Sequence, residues 1–487
     1  MKSKILFQLD GSHYLQDITN NYLLFLPLEL FSSIKKSLNQ PNCAVEDKEN
    51  YYKRKAKFLL EKLENKKADM KNFSGRLKPE KIENTIINTQ QIVFEMTEQC
   101  NLNCKYCGYG EMYGNILPRQ KKDLPFKHVE RLIEYLNEGW ISPKYTGINK
   151  NIAIGFYGGE PLLKVDLIKQ IIKLLKTKRT DRINFTFSMT TNGMLLDKYI
   201  DFLVENDVQI FISLDGDERN NSYRVTSSGK NSFDLIFSNI LFVKERFPYY
   251  FKEKVNIASV LHNRNSVSEI HYFFKNQLEK EALILEVNSM GIKAEKKEEF
   301  KAMYQNKYES LIKAVNYDII KEEMFIKEPD TYSLMQYFHT FSGNYFKNFK
   351  NFFLDKEDVR WLPTATCIPF QKKIFLTVSG KILPCERIGH QYILGSVDEN
   401  GVNIDFNEIA NRYNKYYENI QSQCSKCYHL KHCLQCIFYI EDIEDKPICN
   451  GFFDEKKFKK YLSNNISFLN KNPKLYNKIM TEVILGD

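Results

Sequence analysis

The sequence predicts an α/β protein: a partial (β/α)6 barrel, preceded by a small winged-helix-like α+β module and followed by a cysteine-rich domain. Three observations carry this. From Gln91 to Asn288, strand-like apolar runs alternate with helical patterns, the mark of a parallel sheet covered by helices. Before them, residues 1–40 hold three short strand patterns and then a helical one. After them, seven of the eleven cysteines crowd between Cys367 and Cys449. The expected intervals are 1–88 for the N-terminal module and linker, 89–300 for the barrel and 301–360 for a helical bridge. The cysteine-rich domain then takes 361–455 and a tail 456–487.

Composition narrows the class. Apolar residues make up 43% and aromatics 14% of the 487 residues, ample for packed cores and unlike a disordered chain. No run of about 18 uncharged apolar residues occurs, so neither a transmembrane helix nor a membrane partner is expected. Asp10 and Gly11 interrupt the N-terminus too early for a signal peptide, which makes a cytoplasmic location the expectation. The net charge is +9. The basic residues are mostly Lys mixed with Glu and Asn, a solvated surface rather than a nucleic-acid footprint. No cysteine lies between Cys107 and Cys367. Such clustering suits metal sites, not a disulfide framework. Cys43 sits in a polar loop and is given no role.

In order, Ile5–Leu9, His13–Ile18 and Tyr22–Leu26 read as strands, with Asp10-Gly11 as a hairpin signal. Leu28–Leu38 and Tyr51–Lys67 have helical spacing. Six barrel strands are expected at 91–97, 152–157, 184–189, 209–214, 255–261 and 282–288. Helical patterns at 125–138, 163–176, 195–205 and 231–246 separate most of them. In a TIM-like barrel, ligands bind at the C-terminal strand ends. Strand one is followed by Cys100, Cys104 and Cys107, strand two by Gly158-Gly159-Glu160-Pro161, and strand three by Asn192-Gly193. Strand four runs into Ser213-Leu214-Asp215-Gly216. Three thiolates in C-x3-C-x2-C can hold three irons of a [4Fe–4S] cluster and leave the fourth open. Zinc, or a plain electron-carrying cluster, is the other reading.

With Tyr106 before its last cysteine, this motif resembles the signature of the radical S-adenosylmethionine (SAM) superfamily. The resemblance implies that the triad's cluster binds SAM and reduces it, giving methionine and a 5′-deoxyadenosyl radical. Gly158, Gly159 and Glu160 match the superfamily's GGE motif, where Glu160 accepts from the methionyl ammonium. Asn192 and Ser213 stand where relatives contact the ribose and methionyl groups. Arg224 matches an arginine facing a carboxylate, with an ion pair as its other reading, while Asp215 braces its loop. Tyr106 is expected near the adenine or packed over the cluster. An external one-electron reductant of flavodoxin or ferredoxin type is implied.

The later cysteines run C-x12-G-x4-C from Cys367 through Gly380 to Cys385, then C-x2-C-x5-C-x2-C from Cys424 through Cys427 and Cys433 to Cys436, then Cys449. This resembles the SPASM domain of radical SAM enzymes that modify peptides and proteins, although the family's last pair is C-x3-C. The resemblance implies two auxiliary [4Fe–4S] clusters, three in all. Cys424, Cys427, Cys433 and Cys449 would hold one, and Cys367, Cys385 and Cys436 three irons of the other. Glu386 takes the place of an aspartate that acts as base in sulfatase-maturing relatives; a cluster-adjacent surface carboxylate is its other reading. The N-terminal module resembles peptide-recognition elements that bind a leader segment as an added strand, or else it is a capping domain. Three functions follow: a maturase that crosslinks, or forms a thioether in, a ribosomally made precursor peptide; a formylglycine-forming sulfatase-maturase-like enzyme; and a non-catalytic iron–sulfur electron carrier.

Overall fold

The computed structural model describes residues 2–39, 51–64, 75–114, 120–142, 150–178, 180, 183–341, 368–430 and 433–483. Cys43, the expected cluster ligand Cys367, and the end of the 301–360 bridge fall outside them. The chain forms two compact units. One gathers Met1–Arg76, Lys321–Thr366 and Asn414–Asp487; the other gathers Leu77–Ile320 and Cys367–Tyr413. The expected cysteine-rich interval is therefore shared between them.

In the first unit, β1 (Lys4–Leu9), β2 (Ser12–Asp17) and β3 (Tyr22–Leu26) form an antiparallel sheet in that order. Asp10 and Gly11 turn the first hairpin with φ of 49° and 77°. That left-handed pair matches the twist of the flanking strands. Side chains alternate across the sheet, so each face needs its own cover. Leu15 packs with Leu30, Phe31 and Ile34 of the helix Leu28–Asn39, and with Ala56 of the helix Tyr51–Glu64. Ile5 and Phe7 pack instead with Phe338 and Phe341 of the helix Pro329–Phe341, and with Phe458 and Leu462 of the helix Glu455–Lys471. The N-terminal sheet is thus the middle layer of a core closed by distant helices. A further helix, Lys474–Glu482, follows where no element was expected.

In the second unit, β4 (Gln91–Glu95), β5 (Lys150–Tyr157), β6 (Ile183–Thr191), β7 (Gln209–Ser213), β8 (Val255–Leu261) and β9 (Ala282–Glu286) pair in parallel and in sequence order. Helices return the chain, including Phe126–Ile141, Val165–Thr177, Leu196–Glu205, Phe233–Arg246 and Val267–Leu278. This α/β arrangement is consistent with a partial TIM-like barrel. Ile92, Val93 and Phe94 are at most 5% exposed, as in a strand buried on both faces.

The sheet does not stop at β4. On its other side β10 (Lys373–Leu376) pairs in parallel, followed by antiparallel β11 (Lys381–Leu383), β12 (Gly395–Val397) and β13 (Val402–Asn403). The expected hairpin turning at Gly380 is present, with φ 76°. Its docking on β4 makes the sheet mixed and ten-stranded. Among the described residues no helix is long and apolar enough to cross a membrane.

Candidate active site

The strand ends of the barrel converge on the loop after β4. Cys100, Cys104 and Cys107 lie there, each partly exposed. Backbone bonds fix the loop from two sides. Asn103 N donates to Val225 O (2.6 Å) and Lys105 N to Tyr223 O (3.1 Å). From the β5 side, Gly159 N donates to Thr97 O and Glu160 N to Gln99 O, both at 2.8 Å. Only glycine permits this approach. Gly158 has φ 125°, and a Cβ on Gly159 would stand 1.9 Å from Gln99 O.

Glu160 is 1% exposed. Its carboxylate accepts from Leu162 N (3.0 Å), Thr191 Oγ1 (2.7 Å) and Asn192 N (2.8 Å), which ties β5 to β6. Burial outweighs these three donors and raises its pKa to about 7. A folded-state value above the unfolded one adds stability below the usual carboxylate range, and this is lost as pH rises through about 7. Glu160→Gln is expected to flatten that part of the pH–stability curve. Denaturant melts of both proteins across the range check it.

Asn192 is 7% exposed. Its Nδ2 donates to Asn101 Oδ1 at 2.7 Å and lies 3.7 Å from Cys100 Sγ, and its Oδ1 accepts from Met194 N. Ser213 closes β7, half-buried.

Beneath Cys104 lies a buried polar network. Asp215 is fully buried and Arg224 is 7% exposed. Arg224 Nε lies 3.2 Å from Asp215 Oδ2, and Arg224 Nη1 lies 3.9 Å from Cys104 Sγ. Tyr106 donates its hydroxyl to Asp215. Its ring packs on His262 at 5.8 Å and under the Arg224 guanidinium at 5.4 Å. His262 Nε2 is 3.6 Å from the same carboxylate, whose Oδ1 accepts from Val260 N. Burial alone would raise the Asp215 pKa; Arg224, then His262 and Tyr106, outweigh it and hold the carboxyl below its usual range. Arg224 is thus engaged by a carboxylate of its own chain, and Tyr106 is turned into protein. The Cys104 thiol is pushed up to about 12, mainly by burial and further by Cys107, Asp215 and Cys100, against the pull of Arg224.

Cys385 and Glu386 follow β11. Lys373 Nζ donates to both Glu386 oxygens, at 2.8 and 3.0 Å. Against burial, this pair holds the Glu386 carboxyl below its usual range. A base with a lowered pKa is a weak proton acceptor near neutrality, so Glu386 is placed as the counter-ion of Lys373. Burial, then Glu386, pushes Cys385 up to about 11.

In the first unit, Cys424, Cys427, Cys433 and Cys449 line one cavity of about 370 Å³. Cys424 is pushed up by burial and then by Cys433, Cys449 and Cys427. Cys436 belongs to the same unit and does not line that cavity. His429 does, and burial lowers its pKa.

Both thiol groups suit iron–sulfur ligation: neighbouring thiols on anchored loops, whose protons leave as metal binds. Among the described residues no three such side chains converge where a single ion could sit. Cluster thiolates need not converge, because each binds its own iron.

Residues 94–274 match the Radical SAM superfamily. They form a radical SAM domain. The cysteine-type anaerobic sulfatase-maturating enzyme of Clostridium novyi (strain NT) is 30% identical over 186 residues, covering 37% of this chain and 46% of the relative. The radical SAM cyclopropyl synthase TigE of Paramaledivibacter caminithermalis is 29% identical over 162 residues, 32% of each chain. The chain spans about half or less of the length of these relatives. Around the radical SAM domain the fold is similar to native anSMEcpe with bound AdoMet, with TM-score 0.54, 17% identity, and coverage of 80% of this chain and 99% of that one. The same protein has been solved with AdoMet and the Cp18Cys peptide, with TM-score 0.52, 16% identity, and coverage of 80% and 98%.

Sequence reasoning missed His262, Lys373 and His429. His262 directly follows β8, so the rule that placed chemistry at strand ends could have found it. His429 stands inside the C-x2-C-x5-C spacing. Nothing local marks Lys373, which meets Glu386 only through the β10–β11 pairing.

Proposed function

We propose that this chain is a radical SAM enzyme that oxidatively modifies a ribosomally made precursor peptide, forming a crosslink or thioether. The carrying observation is the Cys100–Cys107 loop, held by the Gly158-Gly159-Glu160 backbone on one side and the Asn221–Thr226 segment on the other. When bound there, a [4Fe–4S] cluster and SAM would supply a 5′-deoxyadenosyl radical for hydrogen abstraction. The chain's own part is placement. Gly158 and Gly159 let the end of β5 close on Thr97 and Gln99 and so set the path of the cysteine loop, and Asn192 and Ser213 offer polar atoms at neighbouring strand ends. Glu160, Arg224 and Tyr106 fix the walls, so the reacting groups need little reorganisation.

Residues 361–455 are read as a SPASM domain. The shared cavity of Cys424, Cys427, Cys433 and Cys449 supports one auxiliary cluster there. The peptide substrate is supported by two features. A like-folded protein binds a peptide, and β3 is an edge strand with Tyr22, Leu23 and Phe25 exposed. Exposed apolar edges are usually avoided because they pair with other chains. Here the edge would take a leader segment as an added strand.

The test is to incubate reconstituted protein, SAM and a reductant with short peptides encoded beside its gene, then weigh the products. A loss of two hydrogens with sulfur retained is expected. Phe25→Lys should weaken binding of the leader about tenfold, which is about 1.4 kcal/mol, while leaving SAM cleavage intact. No mass change in any candidate peptide, or unaltered leader affinity in the variant, would count against the reading. The 30% identity over 186 residues to a cysteine-type anaerobic sulfatase-maturating enzyme favours a second reading, formylglycine formation in a sulfatase. Exchange of a cysteine's sulfur for oxygen in the product would identify it.

A further inference from the structure

We propose that His429 Nε2 donates a hydrogen bond to a sulfur of the auxiliary cluster held by Cys424, Cys427, Cys433 and Cys449, and thereby raises that cluster's reduction potential. This rests on the reading that these four thiolates hold iron and sulfide.

His429 lines the four-cysteine cavity, and its Nε2 is buried with no hydrogen-bond partner among the described residues. Buried polar nitrogens are nearly always satisfied, because leaving one bare costs its full desolvation. The ring cannot readily turn away to find water. It stacks on Phe453 with centroids 4.2 Å apart and planes 11° from parallel, and Tyr461 meets it edge-on at 5.1 Å. Phe341 closes another side at 6.3 Å. Aromatic walls thus hold the imidazole in one orientation while its nitrogen lacks a partner.

What fills the cavity decides what that nitrogen meets. Four thiolates complete the ligation of a four-iron cluster, so the imidazole is not needed as a ligand. The cluster's remaining surface is sulfur, which accepts hydrogen bonds and donates none. An imidazole bearing its hydrogen on Nε2 fits that surface. The cavity wall already works this way at one point, where Phe453 N donates to Cys427 Sγ at 3.4 Å. Donors to sulfur favour the reduced, more negative cluster, so they raise its potential. His429 is in this sense a positioning and tuning residue, not a catalytic one.

The experiment uses the full chain with Cys100, Cys104 and Cys107 replaced by alanine, so that only auxiliary clusters remain. In that background His429 is kept, changed to Phe to retain the stack, or changed to Gln to retain an amide donor near the Nε2 position. Iron and sulfide are counted after anaerobic reconstitution, and the potentials are read by redox titration followed by electron paramagnetic resonance. With full iron content, one auxiliary signal in His429→Phe should move to a more negative potential, and His429→Gln should recover part of the shift. Loss of about four irons in the Phe variant, restored in the Gln variant, would equally support a donor. Identical potentials in all three proteins, or iron loss in both variants, would overturn the proposal and leave His429 as packing. The underlying reading fails separately. If the His429 background protein holds no iron, or Cys424→Ala loses none, the four thiolates do not carry a cluster.

Discussion

With Cys100, Cys104 and Cys107 all changed to alanine, the reconstituted protein should make no 5′-deoxyadenosine and should hold about four irons fewer than the roughly twelve expected for three four-iron clusters. The expected loss is complete because the three thiolates act together: each would ligate one iron of a single cluster, and SAM would be held on that cluster. Their loop is anchored by backbone bonds from Asn103 and Lys105 to Val225 and Tyr223, and its entry at Thr97 and Gln99 by bonds from Gly159 and Glu160, so alanine leaves its path intact and removes only the sulfurs. Iron analysis and chromatography of the SAM cleavage products read the two effects independently. Retained 5′-deoxyadenosine would refute the site. Iron near four in the intact chain, with stoichiometric zinc, would instead refute the auxiliary clusters. Gly159→Ala approaches the same loop from the other side. Its Cβ would fall 1.9 Å from Gln99 O, so either the β5 end or the cysteine loop must move although every thiolate remains. A partial loss of cleavage is expected there.

The barrel was legible because its information is local. Each parallel strand is a short apolar run buried on both faces, as Ile92-Val93-Phe94 shows, and each returning helix has its own period. The order β4 to β9 then follows from short connections. The strand-end rule likewise brought Cys100, Gly158, Asn192 and Ser213 to one rim without any knowledge of contacts. What local patterns do not contain is pairing across long separations. Nothing in Lys373–Leu376 announces β4 as its neighbour, and nothing in Ile5 or Phe7 announces Phe341 or Phe458. The side chains' partners were hidden for the same reason. Arg224 reads as facing a ligand carboxylate or as one half of an ion pair because its position in the motif is visible, whereas Asp215 as its partner depends on how the 215–224 loop closes. Glu386 reads as a base or as a surface carboxylate from its adjacency to Cys385, while the Lys373 amine that holds it charged arrives from a strand about a dozen residues earlier in the chain.

Asp215→Ala should be among the most destabilising single changes in the barrel, by about 3–5 kcal/mol, the usual cost of leaving one partner of a buried ion pair uncompensated. Arg224 would remain 7% exposed without its carboxylate. Tyr106 and His262, which both face the same oxygen, would lose their acceptor, and Val260 N would lose the other. The double variant Asp215→Leu with Arg224→Met should recover part of the stability, because it leaves no unpaired charge, while Tyr106, His262 and Val260 N still lack their acceptor. It should not recover SAM cleavage if the guanidinium beside Cys104 is needed there. The pH dependence has a definite sign. The folded-state carboxyl is held below its usual range. Its contribution is therefore present above the ordinary carboxylate value and is lost as pH falls through the lower folded value. The deficit of Asp215→Ala relative to wild type should accordingly be full at neutral pH and shrink in acid, where the wild-type carboxyl also takes up a proton. Denaturant melts of wild type, single and double variants at neutral and acid pH separate these terms. A single-variant deficit that persists undiminished in acid would mean that the side chain's volume and hydrogen bonds, rather than its charge, hold Arg224 and Tyr106 beneath the cysteine loop.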